Sequence, residues 1–136
     1  MDGTAGKETP MDKDALILGL VRAYPRYGPE AYQFVFEALD HTLEQRGGTR
    51  RHVSGPEIME GVRVLALERF GYLARSVLAS WGVESTDDFG EIVFQLISVD
   101  LLQRTADDRR EDFTGLYDFA EAFDHAFDDA LSHVEI

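Results

Sequence analysis

The stretch WGVESTDDFGEIVFQLI, residues 81–97, decides how the chain folds. A helix end, a Gly, a short polar turn and a second apolar-periodic run give the outline of a helix-turn-helix. Ser85 followed by Asp88 has capping-box spacing, and acids at 87 and 88 favour the positive end of a helix that begins there. On a wheel of about 100° per residue, the apolar arc from Val99 round to Phe94 covers about 220°, against about 100° for an ordinary surface helix. The polar remainder is Asp87, Asp88, Glu91, Gln95 and Ser98. None of these attracts phosphate, and only Gln95 is a common base reader. The segment is expected to be a core helix, and duplex DNA is disfavoured as its ligand.

Working outward, the same periodicity marks further helices. Leu16, Ile17, Leu20, Val21 and Tyr24 repeat at helical spacing from about Asp12, and Pro25 stops the run. Pro29 suits the first turn of a second helix with an inward stripe of Tyr32, Val35, Phe36, Leu39 and Leu43, closed by Gly47-Gly48. Ser54 and Glu57 form a capping box for a third helix carrying Ile58, Val62, Leu65, Ala66 and Phe70. Gly71 breaks that run, and a short fourth helix holds Leu73, Val77, Leu78 and Trp81 before Gly82. After helix five, LLQRT and EDFTGLY flank the polar turn ADDRR, which suits either a short β-hairpin or an ordered loop. A last helix from about Asp118 to His133 presents Phe119, Phe123, Ala126, Phe127, Ala130 and Leu131 to the core. The expected fold is mainly α: a disordered tail over residues 1–11, then one compact domain over 12–136. Five to six helices and at most one short hairpin give it a winged-helix-like outline.

Composition narrows the function classes. The 136 residues are 44% hydrophobic and contain no Cys, which excludes disulfides and thiolate chemistry. The longest apolar run, Ala15 to Val21, is far short of the roughly 20 residues that span a bilayer. The N-terminus does not look like a secretory signal, so a cytoplasmic protein without a membrane partner is expected. Net charge is −13, distributed as −1 over residues 1–75 and −12 over residues 76–136. Such a surface repels phosphate backbones and draws basic partners over about one Debye length, about 8 Å at physiological salt.

Several constellations carry candidate chemistry. Arg46, Arg50, Arg51 and His52 lie just before the Ser54 helix start and form a candidate anion site. Glu121, His125, Asp129 and His133 recur every four residues, but they drift through about 120° and cannot converge on one ion. The run DDRRED, Asp107 to Asp112, interleaves Arg109 and Arg110 with acids and suits local ion pairing. Neither a P-loop nor a GxSxG signature is present, and no cofactor or metal is expected. Arg69 falls inside the apolar arc of helix three. It is therefore expected to form a buried ion pair with Glu91 or Asp100, with a cost of several kcal/mol on its removal. Phe34 and His41 point away from the stripe of helix two, and Phe94 lies at the edge of the helix-five arc. Together with Asp87, Asp88 and Glu91 they are candidates for an interaction surface, self or foreign.

The phrases AYQFVFEAL, HVSGPEIMEGVRVLALERFGYLARSVLASWG, DDFGEIVFQLI, DRREDF and YDFAEAF resemble a small bacterial family described mainly from Planctomycetes and Verrucomicrobia. The resemblance covers roughly Leu20 to Phe127 and implies one bacterial domain with no assigned activity and no catalytic residue to carry over.

The functional expectation is a non-enzymatic protein-interaction module, adaptor or regulatory, whose acidic C-terminal half binds a basic partner or a second copy. One alternative is a winged-helix-like nucleic-acid-associated protein touching phosphates through the Arg46–His52 loop. Another is a small-molecule or metal-dependent enzyme built around Arg69 or a carboxylate.

Overall fold

The computed structural model describes residues 2–3, 10–45, 53–103 and 109–125. Five α-helices dominate: α1 (Pro10–Ala23), α2 (Pro29–Gln45), α3 (Gly55–Phe70), α4 (Ala74–Ser80) and α5 (Thr86–Ser98). A 3-10 turn, Gly71–Leu73, joins α3 to α4, and a second covers Arg110–Phe113. A π-helical turn, Ala120–His125, closes the described chain. The mainly helical expectation holds, and no described helix is long and apolar enough to cross a membrane.

The predicted caps form. Glu57 N donates to Ser54 Oγ at 3.3 Å while Ser54 N donates to Glu57 Oε1 at 3.1 Å. This fixes the start of α3 by satisfying two of the donors that a helix N-terminus leaves open. Both α4 and α5 end in Schellman geometry. Val83 N donates to Leu78 O and Gly82 N to Ala79 O, each at 2.9 Å. Leu101 N donates to Leu96 O and Asp100 N to Ile97 O, each at 3.0 Å. The left-handed residue is Gly82 in the first (φ 89°) and Asp100 in the second (φ 62°). Asp tolerates this region better than most residues, and each motif is sealed by a buried apolar pair, Leu78 with Val83 and Leu96 with Leu101.

One apolar core joins all five helices. The densest contact is α2 against α3, where Gly61 lets the helices approach: a Cβ there would lie 3.0 Å from Ala38 O. Seven residues of α5 are buried, among them Phe89, Ile92, Val93 and Leu96, as a core helix requires.

After α5 the sequence leaves a hairpin and an ordered loop both open, and among the described residues Leu102–Gln103 does not pair with the segment 109–117. Leu102–Gln103 (β2) pairs antiparallel with Asp2–Gly3 (β1), and the segment read as the second arm is the Arg110–Phe113 turn. The reason is Phe113. Its side chain is fully buried where Gly55 and Gly90 supply no Cβ; an added one would lie 2.9 Å from the ring in the first case and 2.8 Å from the Phe113 Cβ in the second. Tyr117 then donates to Met59 O at 2.7 Å, tying the segment to α3. Of the stretch expected as a tail, Asp2–Gly3 are the paired strand, and Pro10 and Met11 open α1. In the last helix, Phe119 and Phe123 are buried as expected, and Arg75 pairs with Asp124 at 2.8 Å to hold this turn against α4. The rest of that stripe, from Ala126 on, lies outside the described residues.

Two glycines give opposite predictions. A Cβ on Gly82 would sit 2.0 Å from Arg26 O in a backbone conformation that L side chains avoid. Gly82→Ala is expected to lower stability by more than about 2 kcal/mol. Gly19, inside α1, has nothing within 4 Å of its added Cβ, so Gly19→Ala is expected to raise stability by about 0.5–1 kcal/mol. Urea unfolding of both variants at one protein concentration checks the two signs.

Candidate functional site

The start of α5 holds a buried carboxylate that organises its surroundings. Asp88 is 5% exposed. Its Oδ2 accepts from Glu84 N at 2.8 Å and Ser85 N at 3.2 Å, closing the helix N-terminus. Its Oδ1 accepts from the Tyr27 hydroxyl at 2.7 Å and lies 3.0 Å from an Arg26 guanidinium nitrogen. Both partners come from the α1–α2 loop, PRYGP. Gly28 N of that loop donates to Trp81 O at 3.0 Å, and Arg26 O sits directly against Gly82. The turn of the helix-turn-helix outline is thus packed against the chain's own α1–α2 loop. Burial, then the Asp88 hydrogen bond, pushes the Tyr27 phenol above its ordinary range. Burial also pushes the Tyr32 phenol, which donates to Gln95, up to about 12, and raises that of Tyr117.

Two concave surfaces flank this hub. One is an open cleft of about 680 Å³ between the exposed Tyr24, the Glu91–Phe94–Gln95 face of α5 and Arg109–Glu111. Within it Arg110 lies 3.6 Å from Glu91, a loose pair. The other is a groove of about 400 Å³ at the α2–α3–α4 junction. Three aromatic rings build it: Phe34 from α2, Phe70 at the end of α3 and Trp81 after α4, with centroids 5.4–6.0 Å apart. Glu30, Gln33 and Glu37 line it from α2, and Arg69 completes it. The Arg69 guanidinium carbon is 5.9 Å from the Phe34 ring centre, and its Nη1 is 2.6 Å from Glu37 Oε2. An aromatic floor with a carboxylate beside it is the chemistry that holds a guanidinium or ammonium.

The structure corrects several sequence-based expectations. Arg69 is not buried: its side chain is 43% exposed, and it pairs with Glu37, not with Glu91 or Asp100. The wheel placed it correctly on the α3 face towards α2, but at the last turn that face opens onto the surface, so its long side chain reaches water. The cost of removing Arg69 falls accordingly from several kcal/mol to about 0–1 kcal/mol. Glu91 instead accepts a second contact from Tyr27 at 3.2 Å, and Asp100 ends α5. Phe34 is 1% exposed, so it is the floor of the groove and not a free surface residue; the α3–α4 junction covers the side of α2 that a single inward stripe leaves bare. Asp88 is likewise internal. Asp87 is exposed and accepts from Gly115 N at 3.2 Å. His41 and Phe94 are half-buried, His41 beside Thr42 in a shallow surface dip and Phe94 edge-on to Phe113. Of the proposed surface set, Glu91 and Phe94 share one cleft.

Arg46, Arg50, Arg51 and His52 lie outside the described residues, as do Asp107, Asp129 and His133. Among the described residues no group of three or more His, Cys, Asp or Glu side chains is placed to hold a metal ion. The groove itself was not foreseen. Trp81 and Phe70 read as core positions, and nothing in the spacing of Glu30 and Glu37 says that they rim them.

No family model, curated protein or solved structure matches the chain, so the family resemblance lends nothing to the reading of this site.

Replacing Asp88 with Ala is expected to cost about 2–4 kcal/mol, since it opens a cap and strands the Tyr27 hydroxyl. Arg26→Gln, at the exposed end of the same cluster, is expected to cost less than about 1 kcal/mol. The raised phenols add a pH signature. They favour the protonated form in the folded state, so their contribution is whole below about pH 10. Above it the unfolded phenols ionise first, and stability falls by about 1.4 kcal/mol per pH unit for each phenol. Denaturant unfolding between pH 9 and 12 should show this slope, and Tyr27→Phe should reduce it by one phenol.

Proposed function

We propose that the protein is a non-enzymatic interaction module that takes a basic segment of a protein partner, with one Arg or Lys side chain seated in the Phe34–Phe70–Trp81 groove. Glu30 and Glu37 meet the cation, the rings supply the quadrupole beneath it, and Gln33 adds a polar contact. The observation that carries this reading is Arg69: the groove already holds a guanidinium from its own chain, against one ring and one of the two carboxylates. The net charge of −13 supports it at longer range by raising the encounter rate with a basic partner. A cation seated on an aromatic face is worth about 0.5–2 kcal/mol, depending on how far water is excluded. Neighbouring basic residues of the same segment would add long-range attraction to the acidic surface, which weakens as salt rises.

Trp81 is the only tryptophan, so its emission reports on the groove directly. Titration with an Arg-Gly repeat peptide at low salt is expected to shift that emission with a Kd on the order of 10–100 µM, weakening with salt. The double variant Glu30→Gln, Glu37→Gln should weaken binding about tenfold or more, each charge-assisted contact being worth about 1.5 kcal/mol. Arg69→Gln should tighten it, because it removes the internal competitor. A peptide that leaves Trp81 emission unchanged, or binding that ignores all three substitutions, refutes the reading.

A further inference from the structure

The outer face of α1 carries a second, independent contact surface. Ala15, Leu16, Ile17, Leu18, Leu20, Val21 and Ala23 make this helix apolar almost all round, a pattern that belongs to helices covered on every side. Yet only Ile17 and Leu20 are buried, with Val21 packed beside them. Leu18 is 47% exposed and Leu16 37%. Ala15, Gly19 and Ala23 are open to solvent as well, with nothing within 4 Å of a Cβ built on Gly19. Among the described residues no element covers this face.

The charges on the face say what covers it. Asp14 and Arg22 lie four residues before and after Leu18, so each is displaced by about 40° and about 6 Å along the axis, in opposite senses. Both are exposed, and neither has a salt-bridge partner among the described residues. Opposite charges at equal distances either side of a leucine are complementary to the same pattern reversed. A two-fold axis through Leu18 that sets two α1 helices antiparallel brings Asp14 of each copy alongside Arg22 of the other. An isologous contact demands this kind of self-complementarity. The small side chains of Ala15 and Gly19 beside Leu18 allow close approach, within the usual 8–10 Å between packed helix axes. Lys13 is turned inward over the Phe36 ring at 3.9 Å and takes no part in this face.

We infer that α1 is a homodimerisation helix: two copies pair antiparallel across Leu18, with reciprocal Asp14–Arg22 ion pairs at either end. One helix pair buries less than the 1,200–2,000 Å² typical of a stable complex, so the dimer forms reversibly, at concentrations on the order of 10–100 µM.

Sedimentation of the full chain from about 5 to 500 µM tests this, bracketing the dissociation constant expected for so small an interface. The weight-average mass should rise from 15.3 kDa towards twice that value. Leu18→Glu, Asp14→Arg and Arg22→Asp, all at exposed positions, should each weaken association at least tenfold while leaving the far-ultraviolet circular dichroism unchanged. The decisive sample is an equimolar mixture of Asp14→Arg with Arg22→Asp. Each is self-repelling, but together they restore two attractive pairs across an antiparallel seam, so the mixture should dimerise as the wild type does. A wild type that stays at monomer mass throughout overturns the inference, as does a dimer that survives Leu18→Glu. A mixture that stays monomeric while the wild type dimerises also overturns it. Because the Trp81 groove plays no part in these samples, the outcome is independent of whether basic peptides bind there.

Discussion

A single buried carboxylate holds this architecture in register. Asp88 closes the start of α5 with one oxygen and captures the α1–α2 loop with the other, through Tyr27 and Arg26. Taking a carboxylate out of water is costly unless its lone pairs are met, and four donors meet these. Once the loop is anchored, Gly28 reaches Trp81 O and Arg26 O lies against Gly82, so the end of α4 is fixed relative to the start of α2. That relation is what brings Phe34 and Trp81 to 5.4 Å and so creates the groove. The hub is not the proposed site, but it places the rings of the proposed site.

This arrangement explains which features were legible in the sequence. Periodicity, caps and breakers are local signals, and each found its place: Pro25 and Pro29 around the first loop, the Ser54–Glu57 box, Gly71 and Gly82 after their helices, the core character of α5. What failed were inferences about partners. Arg69 lies on the predicted face of α3, but a helical wheel does not say where along a helix the neighbouring element ends. Phe34 looked misplaced because a wheel assumes one inward stripe, whereas α2 is covered from two sides. The choice between hairpin and loop after α5 is left open for a related reason. EDFTGLY has strand-compatible residues, but Gly55 and Gly90, far apart in sequence, form the recess that Phe113 fills. No local pattern announces a recess built by two other helices.

Charge shows the same division between count and placement. The C-terminal half carries −12, and by number its acids look like one surface for a basic partner. Several are spent internally: Asp88 in the hub, Asp112 accepting from Arg109 N, Asp124 on Arg75. The carboxylates best placed to hold a specific cation, Glu30 and Glu37, belong to the nearly neutral half. On the proposed reading, net charge would bear on how often a basic partner arrives and the groove on where it is held.

On the proposed reading, a groove already filled by its own chain would also limit how tightly a partner binds. An incoming cation has to displace Arg69 from Glu37 and from the face of Phe34 before it gains the same contacts. Both Arg69 and Glu37 are nearly half exposed, so their pairing is worth about 0–1 kcal/mol, and displacement weakens binding by at most about fivefold. A penalty of that size lowers affinity without closing the groove. It also favours partners that bring several cations at once, since only the first must evict Arg69. The surrounding negative surface then acts on the others at no such cost, and an extended basic segment gains over a lone cation by more than the number of its contacts.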